Sequence, residues 1–160
     1  MADTSAPWSR YREGVNGRVL EELSIEECVE LLDAHGLGRI ALTDDGWPVV
    51  FPVNYRLVND RPNRWIAIRA REHGPIDHPE ARVGFQIDGV DPIRHSGWSV
   101  LVRGTLHHVD QTAADFALRF DPGPWAPDRG AWLVIEPMMI TGRRIPGPQP
   151  EWAFSLRAYL

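Results

Sequence analysis

Apolar positions along the chain recur first with a helical period and then, for about a hundred residues, mostly with a period of two. Ile25, Cys28, Leu31 and Leu32 lie on one helical stripe. Ser24 and Glu27 stand at capping-box spacing ahead of it, where hydroxyl and carboxylate each satisfy an orphan backbone N–H. Gly36, just past His35, is the expected C-terminal stop. Cys28 sits in the stripe and reads as a small core residue rather than a nucleophile. Strands are then expected over Leu37 to Thr43, Trp47 to Arg56, Arg64 to Arg69, Arg82 to Asp88, Trp98 to Val109 and Trp132 to Thr141. Between them lie Asp44-Asp45-Gly46, Asn59 to Asn63, Gly74 to Pro79 (a turn or helical crossover), and Asp91-Pro92 with Ser96-Gly97. Ala113, Phe116, Ala117 and Phe120 mark a second helix, and Asp121 to Gly130 is too rich in proline and glycine to be anything but loop.

The second strand is the most informative. Trp47, Val49, Phe51, Val53 and Tyr55 share one face, while Pro48 and Pro52 lie on the other and carry no backbone donor. Such a strand belongs at an edge or beside an irregularity, where a ligand can take up the unpaired groups. Strands joined mainly by tight turns favour a closed antiparallel barrel over a doubly wound sheet. The expected fold is mainly β with minor α: a six-stranded antiparallel barrel with two or three short helices. Residues 1–22 are expected to form an arm, 23–145 the domain and 146–160 a proline-rich tail.

Composition narrows the function classes. The 160 residues suit one domain, and 43% hydrophobic with 24% charged residues is ordinary for a globular chain. The net charge of −5 argues against nucleic acid, and no apolar run approaches a membrane span. The start of the chain has no apolar leader core and there is a single cysteine, so a cytoplasmic location is expected. All 17 basic residues are arginine. Without lysine there is no Schiff-base chemistry, and any anion must meet arginine, histidine, hydroxyls or backbone N–H groups.

The sequence contains no G-x-G-x-x-G after a strand, no phosphate-binding loop with its lysine, no G-x-S-x-G and no H-E-x-x-H. His107 and His108 are adjacent on a strand and point to opposite faces; His73 and His78 lack an evident third ligand, so no metal is expected. What remains is arginine at strand ends. Arg69 and Arg71 are alternate residues whose guanidiniums can converge on one anion such as a phosphate. Trp98-Ser99 adds an aromatic and a hydroxyl at the start of another strand.

Three segments together resemble the pyridoxamine 5′-phosphate oxidase-like flavoproteins, which have a split-barrel fold. They are Gly38-Arg39-Ile40-Ala41 through Gly46-Trp47-Pro48 to Phe51-Pro52-Val53-Asn54-Tyr55, then Val83 to Asp88, and most specifically Ser96-Gly97-Trp98-Ser99-Val100-Leu101-Val102-Arg103-Gly104. Ile135-Glu136-Pro137 and Ile140-Thr141-Gly142-Arg143 are also similar. The resemblance implies a homodimer holding FMN between subunits. It implies that Pro52, Val53 and Asn54 lie along the isoalloxazine and that Arg69 and Ala70, with Arg71 beside them, lie at the phosphate and ribityl side. Trp98 and Ser99 would reach the same cofactor from the other subunit, with Arg143 over the ring.

Relatives often place a hydroxyl residue after the arginine and a lysine further on; here Ala70 and Ile76 stand near those positions. Losing two such phosphate contacts costs on the order of 2–4 kcal/mol. The expected function is therefore an FMN-dependent oxidoreductase, of nitroreductase or pyridoxamine-phosphate-oxidase type, acting on a small-molecule substrate. The alternative is a non-catalytic module that binds flavin, deazaflavin or haem, or a split barrel that has lost its cofactor.

Overall fold

Asp45 and Gly46 take φ of 47° and 78°, the left-handed pair that closes a two-residue hairpin with the twist of its flanking strands. That turn sets the register of the first hairpin in the computed structural model, which describes residues 20–60, 63–109, 119–126 and 130–147. The elements are β1 (Glu21–Leu23), α1 (Ile25–Ala34), β2 (Leu37–Asp44), β3 (Trp47–Asp60), β4 (Asn63–Ala70), β5 (Arg82–Asp91), β6 (Ser96–His108) and β7 (Ala131–Ile145). All pairings are antiparallel, in the order β1-β7-β4-β3-β2-β5-β6, and β6 also pairs with β7. Six strands thus pair in a ring, with β1 added outside it on β7.

The inward positions of the ring form the core: Ile40, Ile66, Ile68, Phe85, Ile87, Val100, Val102, Leu106, Leu133 and Ile135 are essentially inaccessible. No polar or charged residue is buried with them among the described residues. The alternation read from the sequence is what places them there, since a one-residue slip would turn every one of these side chains to solvent. Helix α1 buries Cys28 and Leu32 against the same core. Burial raises the Cys28 thiol above its ordinary value, with the neighbouring Glu27 charge adding to the effect, as suits an inert core cysteine.

Two sequence expectations change, and a third falls largely outside the described residues. Among the described residues there are seven strands rather than six, because Glu21–Leu23 pairs on β7 opposite Gly142, Arg143 and Arg144. One full helix is present among the described residues. The second expected helix lies largely outside them, with only Arg119 and Phe120 helical, and the Gly74–Pro79 crossover is a run of turns. Gly36 does not end α1 in a left-handed cap: His35 is the C-cap in extended conformation. His35 Nδ1 bonds the Leu31 carbonyl at 2.7 Å and the Tyr55 hydroxyl donates to the Leu32 carbonyl at 2.8 Å. Side chains thus satisfy the carbonyls that a glycine cap would have turned to backbone partners.

The prolines of β3 explain its unusual pairing. Residues 47–54 pair with β2, whereas residues 55–60 pair with β4. In the hairpin register, Pro48, Val50, Pro52 and Asn54 are the positions whose backbone groups point away from β2. The Tyr55 N–H bond to the Gly36 carbonyl at 3.0 Å confirms that phase. Over 48–54 the outward edge therefore carries four carbonyls but only two N–H groups.

Tyr55 ties this strand to α1, and burial pushes its phenol well above the ordinary value, with Asp33 adding to the effect. Tyr55→Phe leaves the Leu32 carbonyl without that donor, which is expected to cost about 1–3 kcal/mol. A shifted urea midpoint at unchanged slope is the expected reading; an unchanged midpoint would show that the bond contributes nothing net.

Candidate functional site

Where β3 leaves β2 for β4, the two strands part. The last pair in which β3 and β4 both extend is Tyr55 with Ile68. Carrying that register one step further sets Asn54 opposite Arg69, then Val53 opposite Ala70 and Pro52 opposite Arg71. The residues expected on the ring and at the phosphate therefore face each other across a notch. Val53 and Ala70 turn inward and are buried, while Pro52 and Arg71 are exposed and Asn54 and Arg69 are half-buried. Ile76 packs against the core from the crossover.

Arg69 is already engaged. Its guanidinium lies 4.9 Å from the ring centre of Trp132, its cross-strand neighbour on β7, and its Nη1 is 3.4 Å from an Asp121 carboxylate oxygen. Asp121 also accepts the Gly123 N–H at 2.9 Å, which closes a local turn with Gly123 at φ 58°. Two residues on, the Trp125 N–H donates to the Asn54 side-chain oxygen at 3.0 Å, and the Asn54 amide reaches the Gly36 carbonyl at 3.5 Å. The segment 121–125 is thus a strap fastened to both sides of the notch. Arg71, by contrast, has no side-chain partner among the described residues.

The crossover that follows Arg71 is held from both faces of β6. His108 Nε2 bonds Asp77, whose other oxygen accepts the His73 N–H at 2.8 Å. On the opposite face His107 Nδ1 bonds Glu80 at 2.9 Å and its Nε2 lies 3.3 Å from Glu136. The two histidines do point to opposite faces, and no cluster of metal-ligating side chains exists among the described residues.

The second group of expected site residues lies at the other end of the sheet. Trp98 pairs with Gly89, and any side chain there would collide with its indole; the ring of His35 meets it edge-on at 4.9 Å. Ser99 is cross-strand from Arg143. Together they line a cavity of about 680 Å³ with Gln86, Val90 and Ile145. Its acidic residues are occupied: Asp88 by Arg39, and Asp91 by the N–H groups of Ile93 and Arg94. Arg143, half-buried, has no partner among the described residues. The cavity therefore offers an aromatic wall and one uncompensated cation.

One subunit does not bring the two groups together. Trp132, beside Arg69, and Arg143 are eleven residues apart on β7, roughly 35 Å along the strand at its usual rise. Sequence reasoning missed Asp121, Trp125 and Trp132. The Asp-Pro-Gly run at 121–123 signals a turn, but nothing local reveals which arginine that turn meets.

The family model described as pyridoxamine 5′-phosphate oxidase matches residues 24–144. The chain belongs to this family. An FAD-binding protein of known structure from Mycobacterium smegmatis is 32% identical with a TM-score of 0.62, over 78% of this chain and 97% of that one. A Corynebacterium glutamicum structure named as a candidate pyridoxamine 5′-phosphate oxidase is 27% identical with a TM-score of 0.65, over 85% and 100%. An uncharacterized protein of Mycobacterium tuberculosis is 28% identical over 149 residues, 88% of this chain and 95% of that one. The family match runs from the α1 cap to the end of β7.

Burial alone would raise the Asp77 carboxyl, but the bonds from the His73 N–H and from His108 outweigh it and hold it below its ordinary value. A depressed carboxyl stabilises the fold above its unfolded pKa of about 4, and that contribution is lost as pH falls through the lower folded value. Asp77→Asn is expected to be less stable at neutral pH and to lose less on acidification below pH ~4. Urea midpoints measured along a pH series check both; parallel curves for the two proteins would contradict it.

Proposed function

We propose that this protein binds a flavin, FMN in the first instance, between two copies of the chain and works as a small oxidoreductase in a split-barrel fold. The observation that carries this reading is the notch between β3 and β4. An isoalloxazine presents an imide N–H between two carbonyls along one edge. The open edge of β3 supplies alternating carbonyls and the N–H groups of Val50 and Asn54, with Arg69 and Arg71 across from it for a phosphate. When bound, the flavin supplies the hydride chemistry. The chain's own residues orient the ring, neutralise the phosphate and exclude water.

The partner copy follows from the separation of the two residue groups. Trp98, Ser99 and Arg143 reach a ligand in the notch only from a second subunit. The outer face of the ring suits one: Val50, Ala41 and Gly84 form a cross-strand row that runs on through Arg103 to Met139, and Val50, Met139 and the neighbouring Leu101 are exposed. Faces of this kind, apolar around an arginine, are what homodimer interfaces bury. The likeness to an FAD-binding protein supports a flavin and leaves FAD as the competing form.

A second reading has its own observation. Ala70 points into the core and Ile76 packs against it, so neither offers the phosphate a hydrogen bond. A weakened phosphate seat favours a non-catalytic module, or one that takes a deazaflavin or haem.

The test is the absorption spectrum of the protein as purified, followed by titration with FMN and FAD and sizing by light scattering. A flavin spectrum, a mass twice the 18.1 kDa of one chain, and reduction of the bound flavin by a nicotinamide donor are expected. Arg69→Ala should weaken FMN roughly ten- to a hundredfold, the worth of a charge-assisted bond. A colourless monomer indifferent to both flavins would overturn the reading, and deazaflavin and haem would then be titrated in turn.

A further inference from the structure

The strap that crosses the notch carries a carboxylate to the one arginine best placed for a ligand's anion. We propose that Asp121 is an internal competitor for the Arg69 seat, so that the chain itself sets how strongly the notch takes a phosphate. The proposal rests on the notch being the ligand site.

Two contacts fasten the strap, and each falls on a residue of the notch. The Asp121 carboxylate meets Arg69 at 3.4 Å, and the Trp125 N–H meets the Asn54 side chain at 3.0 Å. An incoming phosphate that takes Arg69 through its guanidinium must displace the Asp121 oxygen or sit beside it, charge against charge. Asn54 is opposite Arg69 in the continued β3–β4 register, so a ring seated along β3 disturbs the second fastening as it arrives. The local turn survives either event, because it uses the other carboxylate oxygen, on the Gly123 N–H. Trp132 stacks on the guanidinium independently of the carboxylate, a contact that would keep the cation in place when the carboxylate leaves. Arg71 is exposed at the mouth of the notch and free to meet the anion first. Nearby carboxylates at the second site are already paired, so this competition is particular to the Arg69 end.

The consequence is selectivity by charge. A flavin with a phosphate works against Asp121, whereas riboflavin, lacking that anion, does not. Asp121→Asn keeps an oxygen for the Gly123 N–H and removes only the charge, which makes it the informative substitution. FMN and riboflavin are titrated into the full-length protein and the variant by flavin fluorescence, at low and at moderate salt. Expected is a roughly three- to tenfold tightening of FMN in Asp121→Asn, shrinking with salt, with riboflavin changed by less than about twofold. Unchanged or weaker FMN binding in the variant would overturn the proposal and leave Asp121 a turn residue. If neither protein binds either flavin, the flavin reading fails by itself. Inorganic phosphate then decides, followed by the amide NMR signals of Gly123 and Trp125. Tighter phosphate in Asp121→Asn upholds the competition, and equal or absent binding refutes it.

Discussion

The exchange of partners within β3 is the constraint on which the site depends. A strand of fourteen residues pairs with β2 along its first half and with β4 along its second, and the exchange falls between Asn54 and Tyr55. Tyr55 is fixed on all sides there, by its backbone bond to Gly36, its hydroxyl on the end of α1, and its ring edge-on to Phe85 at 4.9 Å. Because Tyr55 cannot shift, β4 meets β3 only from that residue onward, and the preceding edge stays open. Pro48 and Pro52 make this tolerable in a folded chain, since an edge short of donors is a poor template for pairing with a stray strand.

The same particulars show what was legible in the sequence. The alternation along β3, the Asp45-Gly46 turn and the Ser24–Glu27 cap are local, and each is present as read. The donor-poor edge was legible because proline reports its own missing N–H wherever it stands. The partner exchange was not: it depends on where β4 arrives, which no window of β3 contains. Gly36 marked the right place for the helix to stop, but not how its end is satisfied. A glycine after a helix is usually a left-handed cap, but here His35 and the distant Tyr55 had already taken the terminal carbonyls. The extra strand β1 escaped notice since three residues are too few for a period to register. Arg69 was identified as an anion-binding candidate and Arg143 as a residue over the flavin ring, but their placement at opposite ends of the sheet became visible only with the fold.

A chain whose only basic side chains are arginines gives each cation a planar, always-charged head, and its surroundings then decide whether that charge is available. Arg39 is spent on Asp88, Arg144 lies 3.3 Å from Glu27 at the α1 cap, and Arg69 is shared between an indole and Asp121. Arg143 makes no ion pair among the described residues and lines the cavity beside Trp98 and Ser99, an arrangement that an anionic ligand would complete. The two ends of β7 thus lie beside cations in opposite states of readiness, Arg69 next to Trp132 and Arg143 on the strand itself. If two copies bring those ends to one ligand, the uncompensated Arg143 would supply attraction while the Arg69 end supplies discrimination through the carboxylate that has to yield. Neither end is then sufficient alone, which makes assembly and ligand binding aspects of one equilibrium rather than successive events.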